Sequence, residues 1–133
     1  MLAGLLTVAI LSCATNPARP VVVLPNGYYL EPDKSDQSDI VRRGGGLVLH
    51  SPVAAYAVSA NVVAGALGEA PASSRLYSDL AFKGGPNTRY FILDTASGKV
   101  ESDLNAADWH KRLKDLGVPP DFEIYPPLPW QAQ

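Results

Sequence analysis

Short apolar runs broken by turn-forming residues fill most of the chain, and one stretch near the C-terminus has helical spacing. Val21-Val22-Val23-Leu24 is closed by Pro25-Asn26-Gly27, where Pro fixes φ and Asn-Gly tolerates positive φ, so Tyr28-Tyr29-Leu30 reads as a strand after a turn. Ile40-Val41-Arg42-Arg43 and Leu47-Val48-Leu49 flank Gly44-Gly45-Gly46, which predicts two strands around a glycine turn or one strand carrying a bulge. Between Val53 and Glu69, the β-branched residues, the polar break at Ser59-Ala60-Asn61 and the glycines at 65 and 68 favour two short strands over one buried helix. Residues 70–89 are rich in Pro, Ser and Gly and read as a long loop, with a short helical turn over Leu76, Tyr77 and Leu80. Tyr90-Phe91-Ile92-Leu93-Asp94 then has strand composition. Thr95-Ala96-Ser97-Gly98 ends on a glycine where a hairpin loop with a G1 bulge needs positive φ, and Lys99-Val100-Glu101 resumes the ladder.

The helical spacing begins after Asn105, a good N-cap, with Asp108 in the place of the capping-box acid. Trp109, Leu113 and Leu116 fall at i, i+4 and i+7 and form an apolar stripe, while His110, Lys111, Arg112 and Lys114 lie on other faces. Asp108 and Arg112 are spaced as an i,i+4 ion pair, and Gly117 before Pro119-Pro120 stops the helix. The fold class this implies is α+β: a small antiparallel β-sheet, a meander of hairpins, covered by one C-terminal amphipathic helix. Residues 25–118 would form that domain. Residues 119–133 make a tail of prolines and aromatics in which Phe122, Tyr125 and Trp130 either fold back over the domain's core or serve a partner. Pro126-Pro127-Leu128-Pro129 matches the spacing of polyproline ligands, so Tyr125, Pro126, Pro129 and Trp130 are the candidate partner-binding residues.

Residues 2–12 carry no charge and are mostly Leu, Ala, Val and Ile, a run too short for a membrane span of about 20 residues. It ends in Ile10-Leu11-Ser12-Cys13. That pattern resembles the lipobox of bacterial lipoprotein precursors, in which a small residue precedes an acylated cysteine. The resemblance implies that residues 1–12 are a cleaved signal peptide, that Cys13 is the lipid-attachment site, and that residues 13–24 are a lipidated cysteine and its tether. It also implies a place in the cell envelope. Ala14 is not the aspartate that retains many such proteins in the inner membrane, so the periplasmic face of the outer membrane is expected where the organism has one. The other reading of the same residues is an apolar strand or helix with a buried free cysteine. From Tyr90 to Val118, the hairpin followed by a capped, Trp-bearing helix also looks like small bacterial lipoproteins of unknown function, and that likeness brings no catalytic residues with it.

Composition narrows the chemistry. Eleven basic and 13 acidic side chains in 133 residues give a formal net charge of −2, which removes the basic footprint of a nucleic-acid binder. One cysteine makes neither an internal disulfide nor a thiolate-rich zinc site. Asp33, Asp36 and Asp39 recur every third residue, whereas a calcium loop alternates its ligands at every second position. No Lys-Ser or Lys-Thr follows the triple glycine, so it reads as a turn and not a phosphate cradle. With His50 and His110 the only histidines, neither a His-x-x-x-His metal pair nor a Gly-x-Ser-x-Gly elbow occurs. Glu31, Glu69 and Asp94 could act as an acid–base pair only if the fold brought them together. No pattern asks for a cofactor or a metal. The expectation is therefore an envelope lipoprotein that is not an enzyme: a binding or interaction module reached through its membrane anchor, with another envelope protein as partner. The alternatives are a small hydrolase using His50 with a serine or carboxylate, and a purely structural lipoprotein.

Overall fold

Each of the four turns marked by Gly, Asn and Pro closes an antiparallel hairpin in the computed structural model, which describes residues 21–32, 37–49, 51–68 and 81–127. Strands β1 (Val22–Val23) and β2 (Tyr28–Pro32) flank the turn at Pro25–Gly27, and β3 (Ser38–Arg42) and β4 (Gly46–Leu47) flank Arg43-Gly44-Gly45. The hairpin of β5 (Val53–Ser59) and β6 (Val62–Leu67) has a two-residue loop, Ala60-Asn61, with Ala60 at φ 52°. The hairpin of β7 (Tyr90–Asp94) and β8 (Lys99–Leu104) closes on Gly98, whose φ is 81° and whose N–H donates to the Asp94 carbonyl at 2.8 Å. That loop holds four residues between Asp94 and Lys99, and the ladder's register shift falls at its other end, between Tyr90 and Ile92, near Asp103 at φ 58°.

The α+β class is seen, but the single sheet is corrected to two. β1-β2-β3-β4 form one four-stranded meander and β5-β6-β7-β8 another. The break falls after β4, a strand of two residues, where the chain runs on to Pro52, which has no N–H to offer a ladder. The deeper cause lies in β6 and β7. Val63, Phe91 and Leu93 point to one side of the second sheet, and Val62, Ala64, Ala66, Tyr90 and Ile92 to the other, all of them buried. A sheet that is apolar on both faces needs a cover on each. The first sheet supplies one, with Leu24, Tyr28, Leu30 and Ile40 packed against Val53, Val63, Phe91 and Leu93. Helix α1 (Ala106–Asp115) supplies the other, through Trp109 and Leu113. The molecule is thus layered sheet, sheet, helix.

Gly65 of β6 lies opposite Tyr56 of β5. A Cβ there would run into the Ala55 carbonyl oxygen and sit 2.8 Å from the Tyr56 Cα, so no other residue fits without moving backbone.

The helix begins and ends as its sequence predicts. Asn105 is the N-cap and accepts from the Asp108 N–H at 2.8 Å. At the other end Gly117 takes φ 80°, its N–H bonds to the Lys114 carbonyl at 3.0 Å, and the Val118 N–H reaches the Leu113 carbonyl at 3.0 Å, a Schellman closure. The ion pair expected between Asp108 and Arg112 gives way to a tertiary one. Arg112 forks onto Glu101 of β8, with Nε 2.9 Å from Oε1 and Nη2 2.8 Å from Oε2.

Chain on both sides of 25–118 takes part in the fold. Val22 and Val23 pair with Leu30 and Tyr29 as an edge strand. Beyond Val118, Phe122 packs on the helix-side core, Ile124 is buried in it, and Tyr125 exchanges backbone hydrogen bonds with Tyr56 at 2.9 and 3.0 Å. This last contact extends the second sheet past β5 by one bridge. Among the described residues, no helix is long and apolar enough to cross a membrane.

Candidate functional site

A meander sends alternate turns to opposite ends of its sheet. The β1–β2 and β3–β4 turns therefore share one end of the first sheet, and the β5–β6 and β7–β8 turns share one end of the second. In this molecule those two ends coincide, and a polar tie holds them together. Thr95, only 4% exposed, donates its hydroxyl to the Asn61 carbonyl at 2.7 Å. The Thr95 hydroxyl oxygen in turn accepts from the Asn26 Nδ2 at 2.8 Å, and that amide also reaches Asn61 Oδ1 at 3.2 Å. Asn26 can make this reach because its backbone is left-handed, at φ 58°. Three turns drawn from both sheets are joined by these hydrogen bonds.

Against this tie lies an open groove of about 540 Å³. Arg42 and Arg43 form one wall and Thr95, Ala96, Ser97 and Gly98 the other, with Asn26, Gly27 and Tyr28 between them. The local sequence explains why two consecutive arginines serve one groove. Ser38 and Ile40 of β3 face the second sheet, so alternation aims Arg42 the same way, past the end of the packed core. Arg43 lies beyond the strand, where its N–H donates to the Gly27 carbonyl at 2.8 Å and the chain turns, which frees it from the alternation. Both arginines are exposed and neither forms an ion pair among the described residues. On the opposite wall Asp94 turns its carboxylate inward to accept from the Ala96 N–H at 3.0 Å, with the Ser97 N–H at 3.4 Å, and it does not line the groove. Gly98 lets the turn pass close over Tyr28, since a Cβ there would lie 3.4 Å from the phenol oxygen. Among the described residues no acidic side chain lies on the lining.

A second cavity of about 350 Å³ lies between α1 and the C-terminal segment, lined by Leu113, Val118, Pro119, Pro120 and Phe122 with His110 and Lys114. His110 is exposed and meets the Trp109 ring edge-on, with centroids 5.0 Å apart. No group of three or more His, Cys, Asp or Glu able to hold a metal ion assembles among the described residues.

The residues singled out from the sequence fall elsewhere. Cys13, His50, Glu69, Pro129 and Trp130 lie outside the described residues. Tyr125 sits on the edge of the second sheet with 38% of its surface exposed, and Pro126 beside it is buried. Glu31 is on β2 of the first sheet, paired across the ladder with Asp39, and Asp94 serves its own turn, so these two carboxylates do not form a pair. Arg42, Arg43 and Ser97, which do converge, carry no motif. The signal available for them was the repetition of glycines with positive φ at three of the four turns. Comparisons with protein-family models, curated proteins and solved structures return no match.

Proposed function

We propose that this chain is a non-catalytic binding module of the bacterial cell envelope, held to the membrane by lipid on Cys13 and presenting its four-turn end to another envelope component. The groove carries the binding half of this reading: two arginines without carboxylate partners among the described residues face hydroxyl and backbone groups across a scaffold tied by Asn26, Asn61 and Thr95. A constellation fixed by packed strands and satisfied side chains can recognise a ligand at little ordering cost. The anchoring half rests on Ile10-Leu11-Ser12-Cys13 and its likeness to lipoprotein precursors. Each buried acyl methylene contributes about 0.8 kcal/mol, so a multiply acylated cysteine would hold the chain stably to the periplasmic face of the outer membrane.

Two measurements test the reading. The intact mass of natively expressed protein in membrane fractions should correspond to a chain that begins at an acylated Cys13; an unmodified Met1 chain in the soluble fraction removes the anchor. A Ser97→p-benzoylphenylalanine variant, irradiated in cells, should give one saturable adduct that disappears when Arg42→Gln and Arg43→Gln are added. An adduct that persists unchanged in that background places binding elsewhere on the molecule.

A further inference from the structure

We infer that the groove at the four-turn end is a phosphate site, built to take the terminal phosphate of a phosphomonoester, an assignment of ligand class that rests on the binding-module reading above. Among the described residues every side chain that lines the groove with a charge is a cation; Ser97, whose Oγ accepts from the Lys99 N–H at 3.2 Å, and Tyr28 border the same space. The two guanidinium groups bring two positive charges. A dianionic phosphomonoester with three acceptor oxygens matches that charge and donor count, and each oxygen edge suits the planar fork of an arginine. A carboxylate carries half the charge and two acceptor oxygens, which leaves one guanidinium unmatched.

The surrounding residues are arranged so that this charge stays available. Asp94, the acidic residue nearest in sequence to the lining, has its carboxylate engaged by the Ala96 and Ser97 amides. Glu101 is occupied by Arg112. The Arg42 guanidinium lies beside Gly46, where a Cβ would stand 3.8 Å from its Nε and Nη2, an ordinary contact distance. The triple glycine contributes as the turn between β3 and β4. Its backbone amides form no phosphate cradle.

The test uses the full chain in detergent with inorganic phosphate and glycerol 3-phosphate, and the full chain freed of detergent with phosphatidylcholine vesicles with and without phosphatidic acid. Phosphate and glycerol 3-phosphate should shift the Gly27, Ser97 and Gly98 amide resonances saturably, and acetate at matched ionic strength should not. Combined Arg42→Gln and Arg43→Gln should weaken binding at least tenfold, and Ser97→Asp, which adds a carboxylate to the groove, should abolish it. Lys83→Gln, an exposed cation outside the groove, should leave affinity unchanged. Glycerol 3-phosphate binding tighter than the vesicles identifies a soluble phosphomonoester as the source, and vesicle binding that depends on phosphatidic acid identifies a lipid headgroup; either supports the site. Equal binding of acetate and phosphate, equal loss with Lys83→Gln, or no saturable shift overturns it. If the phosphate probes fail while the position-97 adduct persists, the ligand class falls and the binding module stands. If phosphate binds and no adduct forms, the envelope partner falls and the phosphate site stands.

Discussion

The two faces of the central sheet are covered by different means. On the face toward the first sheet, the strands bring their own bulk: Val53, Val63, Phe91 and Leu93 meet Leu24, Leu30, Ile40 and Leu49, and the contact is shared among many side chains of similar size. On the face toward the helix, β5 and β6 offer mainly Ala54, Ala55, Ala64 and Ala66, and the volume comes from the cover, above all Trp109. The indole fills the space the alanines leave, stacks on Tyr90 with centroids 4.6 Å apart, and donates its N–H to the Phe91 carbonyl at 2.9 Å. That carbonyl belongs to the residue at which the β7–β8 register shifts, where a regular ladder is interrupted. One face is held by a distributed set, the other by a single large residue docked on small ones.

The largest expected effect follows from that concentration. Trp109→Ala removes the filled volume, the ring stack and a buried hydrogen bond together, and should cost about 3–5 kcal/mol. Urea unfolding measures it. Ile40→Val, on the distributed face, should cost about 0.5–1.5 kcal/mol, because neighbours retain most of the contact. A Trp109→Ala loss no larger than that of Ile40→Val would show that Leu113, Val118 and Ile124 hold the helix without the indole, and the contrast between the faces would disappear.

The faces also differ in how legible they were. The helix, its Asn105 cap, its Gly117 stop and its Trp109–Leu113 stripe follow from interactions within a few residues, as do the hairpins closed by Asn26-Gly27 and Gly98. The second sheet-side cover does not. Nothing local says that Leu30 and Ile40 will meet Phe91 and Leu93, yet the continuous apolar run Tyr90-Phe91-Ile92-Leu93 was itself a sign of a strand buried on both sides, and such a strand cannot be served by one helix. Positive φ at Ala60 and Asp103 has no glycine to announce it. Arg112 illustrates the same limit in electrostatics, since its local partner by spacing is Asp108 and its partner in the fold is Glu101, eleven residues away. The groove was the least legible part. Its walls come from turns of different sheets, and Arg42 and Thr95 become neighbours only once those sheets stack.

A smaller effect should come from the tie at the end of the distributed face. Thr95→Val keeps the side chain's shape and removes both hydroxyl hydrogen bonds, leaving Asn26 without its shorter contact, at a cost of about 1–2 kcal/mol. The groove supplies a second readout. If the tie positions the two walls, the Gly27 and Gly98 amide resonances should broaden or shift in Thr95→Val while those of α1 stay in place. Changes confined to the helix side would mean that the two ends meet through packing alone.

The smallest effect distinguishes docking by the indole from docking by charge. Glu101 and Arg112 join β8 to α1 at the partly exposed margin of the helix face, and the hydrogen bonds from Arg112 hold the Glu101 carboxyl below its ordinary range; burial, the next largest effect, opposes them, and the guanidinium and Lys99 charges add to the lowering. The sign follows from the two states. The unfolded carboxyl takes up its proton first, near pH 4 or a little above, so the pair's stabilisation is complete above that range and is lost as pH falls through the lower folded value. Glu101→Gln should therefore be less stable than the wild type at about pH 7, and the gap should close on acidification. Thermal unfolding at several pH values measures both proteins. A gap that stays constant down to about pH 3 would assign the loss to packing of the Glu101 stem, and a gap that widens toward acid would reverse the sign required by a depressed carboxyl. In either case the helix would be docked by Trp109 without measurable help from the ion pair, and the contrast between a concentrated face and a distributed one would become sharper.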